Sequence, residues 1–151
     1  DEKENSVGEA AGTAGSHLGL VQRMGFRAGQ VIQELGWDED CDDDIRLAIE
    51  SATGSELVGD EHDDVADAVV LWWREGDGDL VDSLVDSLTD LSDGGPVWLL
   101  TPKVGRDGFV DASDVADAAP TAGLTTTTTV PLTDRWTAIK LVSPKASRAR
   151  R

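Results

Sequence analysis

Apolar positions recur along this chain with two spacings, near 3.6 and near 2 residues, and these mark its elements. Leu18, Val21 and Met24 fall on one helical face, with Ser16 as a cap and Gly25 as a stop. Gln30–Leu35 follows as a short strand. Ile45, Ala48, Ile49 and Ala52 then repeat at three and four, which predicts a helix ending at Gly54. Glu56–Val58 suits a short edge strand. The largely apolar run Ala66–Trp73 predicts a strand covered on both faces. Leu80, Val81, Leu84, Val85, Leu88 and Leu91 predict a helix over 80–91, with Asp82, Asp86 and Asp90 on its wet side. Val97–Thr101 is a second buried strand. A helix near Ala112–Ala119, capped by Asp111 or Ser113, is broken by Pro120 and Gly123. Thr125–Val130 and Arg135–Val142 have strong β propensity and are joined through Pro131–Asp134 as a hairpin.

Strands that alternate with helices imply an α/β fold with a mostly parallel sheet in three layers. The closing hairpin adds an antiparallel strand. The expected organisation is an arm over 1–15, one α/β domain over 16–142 and a tail over 143–151. The arm is small and polar apart from Val7, which predicts disorder and not a signal peptide. Asp1, not Met, opens the sequence, which suggests trimming.

Composition changes the picture mainly through charge. The 151 residues carry 30 Asp and Glu against 13 Lys and Arg, a net charge of −17. From Arg135 onward there are six bases and no acid, so residues 1–134 hold −23 and the end +6. An acidic body of this kind excludes nucleic-acid binding through its main surface. The basic end suits a solvated tail, or a weak contact to RNA or an acidic neighbour. No apolar run is long enough to span a membrane. The single Cys41 forms no intrachain disulfide or thiolate metal cage. The absence of an export signal and the lone cysteine predict a cytoplasmic protein.

Two resemblances add to this pattern. Asp67–Trp73, the following helix and Leu91–Pro102 resemble the fourth strand, helix and fifth strand of class I S-adenosylmethionine-dependent methyltransferases. Gly29–Gly36 stands where those enzymes have their first strand, and Ala122–Val142 resembles their terminal hairpin. A Rossmann-like, methyltransferase-like sheet is the implied fold. A closer resemblance covers nearly the whole chain. Val31–Arg46, Leu71–Leu80, Trp98–Lys103 and Ala118–Leu124 resemble the actinobacterial proteins of domain-of-unknown-function family 3052 (DUF3052), for which no activity is implied.

The residues argue against methyl transfer. A nucleotide-like cofactor needs a glycine-rich turn after the first strand, so that backbone can approach it. The methyltransferase pattern there is Gly-x-Gly-x-Gly; here only Gly36 stands, followed by Trp37 and a carboxylate run. Nor is a catalytic residue evident. His17 and His62 read as surface residues, and Cys41 among Asp40, Asp42, Asp43 and Asp44 reads as a poor nucleophile, because negative neighbours disfavour a thiolate. An EF-hand fails: its sixth and twelfth positions, counted from Asp38, hold Asp43 and Ile49. No cofactor and no dedicated metal site are therefore expected. A small-molecule or nucleoside-cofactor binding protein or S-adenosylmethionine-dependent methyltransferase-like enzyme, and then weak divalent-cation binding by the clustered carboxylates, remain the alternatives.

In open parallel sheets, ligands meet the loops at the strands' carboxyl ends. Those loops bring forward Trp37, Asp38, Asp40, Asp42, Trp73, Arg74, Asp77, Lys103 and Arg106 as candidate site residues. Trp72, Trp73, Trp98 and Trp136 suit the core, and Trp37 suits the surface. The reading is a non-catalytic interaction or regulatory module. Its acidic loop face meets a protein partner with a basic surface.

Overall fold

The computed structural model describes residues 17–59, 61 and 64–143. The arm, Ser16, Asp60, His62, Asp63 and the tail from 144 lie outside these residues, so the expectations placed on them are not addressed by it. Among the described residues, four helices and five strands follow in chain order. They are α1 (17–24), β1 (Ile32–Leu35), α2 (Asp43–Thr53), β2 (Ala68–Trp72), α3 (Leu80–Ser87), β3 (Val97–Pro102), α4 (Ala112–Thr121), β4 (Thr125–Pro131) and β5 (Trp136–Val142). The sheet order is β1-β2-β3-β5-β4. β1, β2 and β3 are parallel, and β5 runs antiparallel between β3 and β4.

The sheet separates two apolar cores. On one face, Val21 and Met24 of α1 and Ile45, Ala48, Ile49 and Ala52 of α2 meet Val70, Trp72, Trp98 and Trp136. On the other, Leu80 and Leu84 of α3 and Val115, Ala118 and Ala119 of α4 meet Val69, Leu71, Leu99 and Leu141. The alternation along β2 and β3 assigns successive residues to opposite cores, which is why both strands read as unbroken apolar runs. Trp72 and Trp136 pack edge to face with centroids 4.8 Å apart. Four of the five tryptophans are core residues, as expected.

Local signals explain the element ends. Asp42 caps α2, its side chain accepting from the Asp44 and Ile45 amides. Gly54 closes α2 at φ 79°, in the left-handed region. Asp111, not Ser113, caps α4.

Four expectations change. α3 ends at Ser87, not Leu91. Leu88, Thr89 and Leu91 donate to carbonyls three residues back, while Ala66 takes the Asp90 carbonyl and gives its own to Ser92. The last turn of the expected helix thus spends its backbone on the chain entering β2. Val85, inside the helix and expected on its apolar face, is 47% exposed, while Leu80, Leu84 and Ser87 are buried. Pro120 lies within the last turn of α4 and does not break it: the one bond it forgoes is to the Ala116 carbonyl, and the Ala122 N–H donates to the Ala118 and Ala119 carbonyls beyond it. Glu56–Val58 contributes only one bridge, Gln33 to Val58, and not a strand. His17 is half-buried with its Nδ1 out of solvent, because α1 lies against the sheet. Among the described residues no helix is long and apolar enough to cross a membrane.

Candidate functional site

The helix after β1 packs on one face of the sheet and the helix after β2 on the other. Because these helices leave the two parallel strands toward opposite faces, a crevice opens at the strands' carboxyl ends. The crevice here is filled by the Arg74 side chain. Arg74 Nε and Nη2 donate to the two carboxylate oxygens of Asp40 at 3.0 and 2.6 Å. Nη1 donates to the Gly36 carbonyl at 2.9 Å and to Asp77 at 3.1 Å, and Nη2 also reaches Cys41 Sγ at 3.2 Å. The guanidinium carbon stands 5.5 Å from the Trp136 ring centroid. A guanidinium has five N–H groups in a planar fork, and here that fork ties the β1–α2 loop to the β2–α3 loop.

This geometry shifts the ionisation of its members. The Arg74 hydrogen bond is the main reason Asp40 sits below its ordinary value. Burial works against the charge on Arg74, but the bonds to Asp40 and Asp77 outweigh it and hold the guanidinium more firmly protonated. Cys41 is pushed up to about 11. The expected unreactive thiol is therefore present, for a different main reason: burial dominates, and Asp40 adds less.

Gly36 is required by close approach. At φ 77° a Cβ there would stand 2.2 Å from the Trp72 carbonyl oxygen. The loop thus presses directly onto the end of β2.

Beneath it lies a second fork. Arg46 of α2 donates from Nε and Nη2 to Glu34 at 2.6 and 2.9 Å, and the Trp72 indole N–H donates to the same carboxylate at 2.9 Å. Glu34 is the charged residue that sequence reasoning missed. Its one signal was a carboxylate in a strand whose neighbours are otherwise bound for the interior.

The proposed site residues are not equivalent. Asp40, Arg74 and Asp77 converge, and Arg106 lies close enough to Asp40 to stabilise its charge. Asp42 is committed to its helix cap and Trp73 is buried. Lys103 stands apart, on a cleft of about 420 Å³ with Val104, Phe109 and Ile139. Trp37 is 52% exposed, with the Arg46 guanidinium carbon 5.8 Å from its ring centroid. Asp38 and Glu39 are exposed beside it. A pocket of about 270 Å³ adjoins the crevice, lined by Gly36, Trp72, Trp73, Asp77, Ser83 and Asp86. Among the described residues no three His, Cys, Asp or Glu side chains converge as a metal site.

Solved structures of similar shape give the class. The pyocyanin biosynthetic protein PhzM aligns at TM-score 0.61 and 15% identity, over 90% of this chain and 56% of PhzM. The chain thus spans little more than half of that protein. A SAM-dependent methyltransferase from Aquifex aeolicus aligns at TM-score 0.58 and 9% identity, over 83% of this chain and 88% of that one. These likenesses establish a Rossmann-like, methyltransferase-like fold and nothing of the activity. The chain belongs to the DUF3052 family of proteins of unknown function, whose model matches residues 21–145. Uncharacterised proteins of Mycobacterium tuberculosis and Mycobacterium bovis are 47% identical over 148 residues, 98% of this chain and 93% of theirs.

The residues present do not fit the cofactor of that fold class. Counted from Gly36, the second and third positions of the glycine pattern hold Asp38 and Asp40. The Asp40 carboxylate and the Arg74 guanidinium occupy the crevice. The strand that would carry a ribose-binding acid is reduced to the Val58 bridge.

Proposed function

We propose that this chain is a non-catalytic interaction module, acting in the cytoplasm through the loop face above β1 and β2. The observation that carries the reading is the Arg74 fork. It fills the crevice from within and fixes the β1–α2 loop, so that Trp37, Asp38 and Glu39 stand outward on a held backbone. An exposed aromatic among carboxylates suits a partner with a basic surface, with tryptophan as anchor and charge as steering. A rigid loop also loses less entropy on binding.

The test is affinity capture from an actinobacterial lysate with mass spectrometry, comparing wild type with Trp37→Ala and with Asp38→Asn/Glu39→Gln. Asp40 and Asp42 are left intact, because both are spent on the fold. Capture lost in both variants supports the reading; equal capture by all three removes this face as the site.

A second reading is a small-molecule or nucleoside binder using the adjoining 270 Å³ pocket. It is favoured by the Trp73 indole nitrogen, which is buried without a partner among the described residues. Calorimetric titration with S-adenosylmethionine, its demethylated product, Ca²⁺ and Mg²⁺ separates the two. A saturable heat with either nucleoside overturns the non-catalytic reading, and one with a cation favours weak divalent binding.

A further inference from the structure

A groove of about 210 Å³ opens at the other side of the sheet, between α1 and the β4–β5 hairpin. Its apolar lining is Leu20, Met24, Trp98 and Val130, and Arg23 and Lys140 flank it. Among the described residues the groove is therefore lined by two cations and no carboxylate. The cavities at the carboxyl end of the sheet contain Asp77 and Asp86, Glu34, or Asp111.

The strand pattern makes this arrangement specific. Side chains two apart on a strand share a face. Trp136 and Ala138 belong to the α1–α2 core, so Lys140 continues an inward-facing row. Thr128 and Val130 lie opposite Lys140 and Ala138 on β4. The Lys140 ammonium stands 5.8 Å from the Trp98 ring centroid. On α1, Leu20, Arg23 and Met24 have the i, i+3, i+4 spacing of one helical face. Neither Arg23 nor Lys140 forms an ion pair among the described residues, whereas Arg46 and Arg74 do.

We infer that this groove binds a small amphipathic anion, its apolar body against the half-buried Leu20 and Val130 and its acidic head between Arg23 and Lys140. Apolar walls remove the body from water, and paired donors without a competing carboxylate are left for the head. The volume lies below the roughly 300–1,000 Å³ of drug-sized ligand sites, so the body is a short acyl chain or a single ring. This site is separate from the Trp37 face and stands or falls independently of it.

Octanoate, octyl phosphate, octylamine and inorganic phosphate are titrated into the full chain, followed by amide and indole shifts in two-dimensional NMR. Saturable shifts with either acyl anion, centred on Leu20, Trp98, Thr128 and Val130, support the site, and the tighter of the two names the head group. Octylamine and inorganic phosphate leave those signals unmoved. Lys140→Gln and Arg23→Gln each weaken binding about tenfold, the loss of one charge-assisted hydrogen bond, while Lys140→Arg keeps it. Equal binding of octylamine, shifts spread over Val104 and Phe109, or full affinity in both Gln variants overturns the assignment. Unchanged amide spectra of the free variants show that the fold is intact.

Discussion

Arg46 and Arg74 make the same bidentate contact with a carboxylate at two depths. The Glu34 side chain that meets Arg46 is 7% exposed, and it also holds the Trp72 indole. The Asp40 side chain that meets Arg74 is 44% exposed and lies in a loop. The deeper fork fastens α2 and β1 to the central strand. The shallower one fastens a loop to the end of the sheet. Removing one partner of a buried pair leaves a charge without water, whereas removing one from a half-exposed pair lets water replace it. The same chemistry is therefore structural below and conformational above.

The largest expected effect is on the deeper fork. Arg46→Ala strands the Glu34 carboxylate and costs about 3 kcal/mol in urea unfolding. Glu34→Gln combined with Arg46→Met recovers most of that loss. A single-variant cost below about 1 kcal/mol would erase the contrast, since exposed pairs already reach that value.

Arg74→Ala comes next, at about 2 kcal/mol, the scale of hydrogen bonds to a charged group. Its sharper readout is local. Amide exchange over 36–41 accelerates, and Cys41 alkylation rises toward the rate of the unfolded chain. Retained protection of that loop would mean that Arg74 does not hold it.

Acid acts on the Arg74 fork. Asp40 is lowered from 3.8 chiefly by its Arg74 bond, so its contribution is present above that ordinary value and lost as pH falls through the folded one. Asp40→Asn should therefore flatten the stability profile as pH falls through and below 3.8. An unchanged slope would place the acid sensitivity elsewhere. Cys41 acts at the opposite end: its raised value favours the thiol in the fold, and that stability is lost as pH rises from 9.0 through about 11. The smallest stability effect is at the surface, where Trp37→Ala stays within about 0.5 kcal/mol. A larger loss would make Trp37 part of the fold and not a free anchor.

Much of this molecule was legible from local pattern. Gly54 ended α2, the apolar runs at Ala66–Trp73 and Val97–Thr101 became β2 and β3, and Trp37 stood out between a glycine and an aspartate. The candidate site was legible as a set of loops and not as a set of contacts. Among the aspartates of 38–44, nothing in their order separates Asp40, spent on Arg74, from Asp38, which stays exposed. Glu34 was passed over because its partners, Arg46 and Trp72, lie 12 and 38 residues away. The end of α3 was misread because Ala66, far earlier in the chain, claims the Asp90 carbonyl.

Spacing of apolar residues, caps and glycines is enough to set which segments become helix or strand, because those preferences are short-ranged and repeat with the backbone's own period. It also sets the fold class and the strongly acidic surface. Which carboxylate meets which arginine depends on distances between segments that are remote in the chain. Those distances exist only once the sheet has brought β1 beside β2 and β5 beside β3. The filled crevice and the cationic groove are consequences of that assembly: one arginine is turned inward and spent, while another arginine and a lysine stand beside an apolar lining that has no carboxylate among the described residues.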